Sequence, residues 1–199
     1  MASQYLMLAL ALGWMLRLRI PVASVARRVF EARPLLAMLR LNRDIMLRTV
    51  CLITSFAVFT NLSALFGTVV LAANAILLNL LETAAYFIDG LAFGTQSLAG
   101  IFKGNGDRRA LDRLLRTAVL WAEFTGLAIV AALWLFPEPL FGLITSHGDV
   151  AALALRYTPW LQATLLIGAV AYILDGYFIG LTSGPTVRNS MFLSLACFL

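Results

Sequence analysis

A chain of 199 residues that is 61% hydrophobic and 13% charged, with a mean hydropathy of +0.90, is no soluble domain, since those sit near ~45–50% apolar and ~25% charged. The net charge of +5 does not point to nucleic acid as a partner. Of fifteen basic residues, eight lie between Arg17 and Arg48 and five between Lys103 and Arg116, which reads as two loops on the cytoplasmic side of a bilayer.

The apolar runs are solid rather than alternating, so the expected fold class is all-α, a polytopic transmembrane helix bundle. Residues 5–16 are apolar and short for a span. They read as the end of a transmembrane helix over 1–18 whose beginning is missing. The polar start Met1-Ala-Ser-Gln4 does not suit a cleavable signal peptide. Residues 19–44 read as a basic cytoplasmic linker, broken by Pro21 and Pro34, with Val22, Val25, Val29 and Phe30 alternating with Arg27, Arg28 and Arg33.

No charge occurs from Thr49 to Leu81, and Gly67-Thr68 marks a turn inside that stretch. The expected spans are 45–66, running outward, and 70–100, running inward. Arg48 is counted with the cytoplasmic linker. Gly100-Ile-Phe-Lys-Gly104-Asn-Gly106 is no phosphate loop, because no strand precedes it and Gly-Lys-Ser/Thr is absent. Asn61-Leu-Ser63 fits a glycosylation pattern but lies within a span. The third span is expected over 117–136, with Trp121 and Trp134 near opposite interfaces and Glu123 about two turns inside. Residues 137–149 read as an external loop, and the fourth span is expected over 157–181, with Pro159 near its start and Gly184-Pro185 after its end. The chain then stops inside an apolar run. This gives about four complete spans, a partial helix at each end, and a C-terminal bundle over 45–199 that reads as part of a longer chain.

The second span carries the polar groups. Asn79, Glu82, Tyr86, Asp89, Phe93 and Gln96 recur at helical spacing, and Glu82 and Asp89 fall within about 20° of each other around the axis. An intramembrane Asp costs roughly 2.5–3.5 kcal/mol on insertion scales, so such a stripe is expected to face a cavity or a partner helix and to mark an ion or substrate path. The alternative is a buried packing contact. Tyr86-Phe-Ile-Asp89-Gly90-Leu-Ala-Phe-Gly94 is echoed by Tyr172-Ile-Leu-Asp175-Gly176-Tyr-Phe-Ile-Gly180. Both carboxylates are expected roughly 20 Å from the basic anchors Lys103 and Arg188, at similar depth. Two acids at one level suit a cation or an exchanging proton. The other reading of the echo is a repeated packing unit whose glycines admit a close helix neighbour. Cys51, Cys197 and the lone His147 offer no disulfide framework, no metal cluster and no Ser/His/Asp or Cys/His set.

Leu41-Asn-Arg-Asp-Ile-Met-Leu-Arg48, Val70-Leu-Ala-Ala-Asn-Ala-Ile-Leu77, Ile88-Asp-Gly90, Leu174-Asp-Gly-Tyr-Phe-Ile-Gly180 and Arg188-Asn-Ser-Met191 occur in that order. Together they resemble the MATE (multidrug and toxic compound extrusion) transporters, in the branch named after DNA-damage-inducible protein F. The resemblance implies twelve helices in two lobes, of which this chain would span the end of the sixth to the start of the eleventh. It implies a multi-pass protein of the plasma membrane, not an enzyme, that exports organic, often cationic, compounds in exchange for H⁺ or Na⁺. No other cofactor is implied, and the implied partners are the lipid bilayer and the missing N-terminal lobe. Asp89 and Asp175 match acidic positions of this branch, with Glu82, Gln96, Asn79, Tyr86 and Tyr172 as neighbours in the expected ion-coupling cavity. Two departures stand out: Gln96 replaces a common Glu, and Glu82 replaces a usually neutral residue. A non-transporting membrane scaffold, a gene relic and a lipid-linked-sugar flippase of the same superfamily remain the other readings.

Overall fold

The computed structural model describes residues 2–17, 32–145 and 147–199, and each element within them is a helix. Helix α1 covers Ala2–Arg17, and α2 runs from Ala32 to Leu65. The chain up to Arg40 forms one compact unit and Leu41–Leu199 a second. Within the second unit follow α3 (Thr68–Gly104), α4 (Arg108–Leu135), the short α5 (Pro137–Ile144), α6 (Gly148–Gly180) and α7 (Gly184–Phe198). Four of these helices are long and apolar enough to cross a membrane, over Leu35–Leu65, Thr68–Gly104, Arg108–Leu135 and Gly148–Gly180. The chain is an all-α integral membrane protein.

Several expected boundaries move. Of the linker expected at 19–44, residues 19–31 lie outside the described residues. From Ala32 onward it is helix, with Pro34 in the first turn, where a missing N–H costs nothing. The third helix begins at Arg108 rather than at 117, so the basic residues from Arg108 to Arg116 belong to α4 and Trp121 sits near the helix middle rather than an end. Part of the expected external loop is α5, and α6 begins at Gly148, which leaves Pro159 and Arg156 inside the helix. Proline removes one backbone hydrogen bond, yet a membrane helix tolerates it where neighbouring helices support the chain.

The turns follow from local chemistry. Gly67 joins α2 to α3 at φ +102° and Gly106 joins α3 to α4 at φ +72°, a region that disfavours side chains. Asp107 then caps α4 by accepting a hydrogen bond from the Ala110 N–H at 2.9 Å. Between turns, hydroxyls hide by donating to the carbonyl four residues back: Ser63 to Phe59, Thr95 to Leu91, Thr158 to Ala154.

The core is built from small residues at helical spacing. Ala84, Ile88 and Ala92 of α3, Ala118 and Ala122 of α4, and Leu165, Ala169 and Ile173 of α6 form one buried cluster. Alanines among these four-residue steps let backbones approach, which is how helices associate where lipid offers no hydrophobic drive. A second cluster seats Phe141 of α5 against Ala73, Val150 and Ala154. The outer faces carry Leu120, Phe124, Leu127 and Trp134 of α4 and Trp160 and Ile167 of α6, all exposed as on a lipid-facing surface.

Candidate functional site

The α3–α6 seam sets the height of every group in the site. Gly176 lies against Ala92, where a Cβ would sit 2.5 Å from the Ala92 carbonyl oxygen, and Gly180 lies equally tight against Gln96. Residue numbers rise together along the two helices, so α3 and α6 run parallel. Asp89, three residues before Ala92, and Asp175, one before Gly176, therefore stand about two residues apart in height, roughly 3 Å. The similar depth read from the sequence agrees with this register. The reckoning from Arg188 does not, because the helix breaks between Gly180 and Gly184.

The two halves of the sequence echo behave differently. Gly176 and Gly180 are close-approach sites, whereas Gly90 and Gly94 have nothing within 4 Å of an added Cβ. The packing-unit reading therefore fits α6 and fails on α3. Both helices also continue unbroken through their aspartates.

Helix α2 borders this seam at an open cleft of about 310 Å³. Its walls are Arg48, Leu52 and Phe56 of α2, Glu82, Tyr86, Asp89, Phe93 and Gln96 of α3, and Tyr172, Asp175 and Gly176 of α6. Six of the seven residues singled out from the sequence meet here. The seventh, Asn79, does not. It lines a separate hollow of about 200 Å³ with Ser63, Asn74 and Glu82, where the Asn74 amide donates to Ser63 Oγ at 2.8 Å. Glu82 borders both spaces. Glu123 lies elsewhere, in a shallow apolar depression beside Leu166 and Val170.

Arg48 is the residue the sequence reading misplaced. It leaves the basic connector and enters the cleft wall, where its Nε donates to Asp175 Oδ1 at 2.9 Å and its Nη2 approaches Oδ2 at 2.6 Å. This two-pronged geometry suits a planar guanidinium, not an ammonium. The two side chains are 19% and 23% exposed, so water screens the pair little. The signal for it was faint: Arg48 is the last base before a long uncharged run, and its partner lies 127 residues away. Among the described residues, the ion pairs of the chain leave Asp89 and Glu82 without a cationic partner. Three carboxylates against one guanidinium give the cleft a negative balance when ionised.

A second cavity, of about 410 Å³, abuts the first. Arg48, Leu52, Tyr172 and Asp175 line both spaces, so the ion pair stands in the wall between them. Near the end of α6, Lys103 donates to the Leu181 carbonyl and, at 2.7 Å, to Thr182 Oγ1. A cation there complements the carbonyl-rich helix end.

Comparison with known proteins agrees with this architecture. A family model described as MatE matches residues 45–199. The chain is 36% identical over 161 residues to DNA damage-inducible protein F of Escherichia coli (strain K12), which covers 81% of this chain and 35% of that protein. It is 28% identical over 144 residues to Protein DETOXIFICATION 44, chloroplastic, of Arabidopsis thaliana, covering 72% of this chain and 28% of that protein. The chain thus spans about a third of the length of the curated relatives it matches.

Proposed function

We infer, from the premise that this chain belongs to the MatE family, that it forms the ion-coupling bundle of a secondary active transporter. The proposed activity is export of organic, often cationic, compounds from the cell across the plasma membrane in exchange for H⁺ or Na⁺. The observation that carries the reading is the cleft in which Asp89, Asp175 and Glu82 converge between helices long enough to span a bilayer. Carboxylates held at that depth cost free energy that packing alone does not repay, and a cation or proton that binds them offsets it. Binding there favours whichever arrangement of the bundle closes around the ion, which is the basis of alternating access. The substrate path runs between this bundle and a second, N-terminal lobe.

Asp89 is the principal exchanging group in this reading, because it is half-buried in the cleft where Glu82 is exposed, and no ion pair among the described residues engages it. Expressing the gene that encodes this chain in a host stripped of its own efflux pumps tests the proposal. Asp89→Asn should abolish ion-driven export of a fluorescent organic cation while membrane abundance stays equal. Undiminished export in that variant would contradict the coupling role.

A further inference from the structure

Resting on that reading, we propose that Arg48 is a built-in counter-cation: its guanidinium fills the cation position at Asp175 and thereby withholds that carboxylate from exchange, which is left to Asp89 and not Asp175. Both oxygens of Asp175 are engaged by Arg48, one at 2.9 Å and the other at 2.6 Å. A sodium ion or a proton reaching Asp175 competes with the guanidinium N–H groups already on both oxygens. Asp89 faces the same cleft with no such partner among the described residues. The charged and titratable groups facing the cleft are Arg48 from α2, Glu82, Tyr86 and Asp89 from α3, and Tyr172 and Asp175 from α6. Of these only Arg48 is cationic.

The placement of the pair gives the arrangement a second consequence. Because Arg48 and Asp175 stand between two cavities, the tethered cation also keeps the spaces apart. Among the described residues the other polar ties of α2 to α3 and α7 lie outside the cleft lining, Ser63 with Asn74 and, one turn before Arg48, Asp44 with Arg188. Arg48 is therefore the one polar tie in the middle of the cleft. Arg48 is a positioning residue in this scheme: it acts by occupying a neighbouring carboxylate and does not itself carry the exchanging ion.

A hydrophobic carbodiimide, dicyclohexylcarbodiimide, reads this directly. A protonated carboxyl adds its O–H across the C=N bond to give an O-acylisourea, which rearranges to a stable N-acylurea. A carboxylate clasped by guanidinium does not react. With the full chain in lipid nanodiscs, adducts are quantified peptide by peptide by mass spectrometry. The wild type should label at Asp89 and not at Asp175. Arg48→Gln should raise Asp175 labelling about tenfold, and Arg48→Lys, which keeps the charge without the fork, should fall between. Circular dichroism establishes that each variant is helical, and the double variant Arg48→Gln/Asp175→Asn, which leaves no unpaired charge at position 175, should keep its label at Asp89. Equal labelling of Asp175 and Asp89 in the wild type, or Asp175 labelling that ignores Arg48, would overturn the inference. Absence of labelling at Asp89 with Asp175 still responding to Arg48→Gln would instead sink the coupling reading on which the inference rests.

Discussion

A single methyl group separates the two kinds of glycine in this chain. At Gly180 an added Cβ collides with the Gln96 carbonyl and stands 3.0 Å from Ala99 Cβ, and at Gly176 it meets the Ala92 backbone. Backbone cannot swing aside as a side-chain tip can, so the helices must part. Gly180→Ala should therefore destabilise the bundle by about 1–3 kcal/mol, whereas Gly94→Ala, with open space around it, should stay within about 0.5 kcal/mol. Thermal unfolding in detergent, followed by helical circular dichroism, checks the contrast. The sequence places all four glycines in one repeated pattern, and nothing in the pattern tells them apart. The difference arises on the facing helix, where Ala92 and Gln96 present backbone to α6, and single-chain spacing does not encode that register.

Among the elements, α7 shows how a helix is pinned without a large apolar face. Asp44 of α2, 4% exposed, accepts a hydrogen bond from Arg188 at 3.0 Å and another from Arg43 at 3.0 Å. The same carboxylate lies against Gly184 at the start of α7, where a Cβ would come within 2.9 Å of Oδ2. Removing Asp44 strips Arg188 of its acceptor, and hydrogen bonds to charged groups contribute about 1.5–3 kcal/mol. Asp44→Ala should accordingly raise amide exchange along the first turns of α7 while leaving α4 unchanged, as hydrogen–deuterium exchange would show. Exchange that is unaltered in α7 would mean that Val187 and its neighbours hold the helix instead. Helix existence was legible at this scale: uncharged runs of the right length and the Gly67 turn give α2, α3, α4 and α6. The ends were less so. In the sequence Pro159 marks the start of a span, since proline ends helices in water. In an apolar bundle the chain has more to lose by leaving backbone groups unpaired, and α6 continues through it.

On the scale of the whole molecule, the fold serves to bring distant acids to one place. The polar stripe of α3 is readable because seven residues return the helix to nearly the same face, and five of its six residues, Glu82, Tyr86, Asp89, Phe93 and Gln96, line one cleft. Arg48 escaped because basic residues were counted by position along the chain, and a pairing across 127 residues leaves no periodicity to detect. Asn79 was grouped with the stripe by angle alone; its height along α3 puts it in the next hollow. The account stands on the claim that the stripe faces a water-reachable cleft while the outer surface faces lipid. Cysteine accessibility measures that most directly, in a background with Cys51 and Cys197 replaced. Tyr86→Cys on the cleft wall and Leu127→Cys on the outer face of α4 would each be challenged, in nanodiscs, with a charged, membrane-impermeant methanethiosulfonate. The account predicts rapid modification at position 86 and about a hundredfold slower reaction at 127, where the reactive thiolate is suppressed in hydrocarbon. Equal protection at both positions would contradict it.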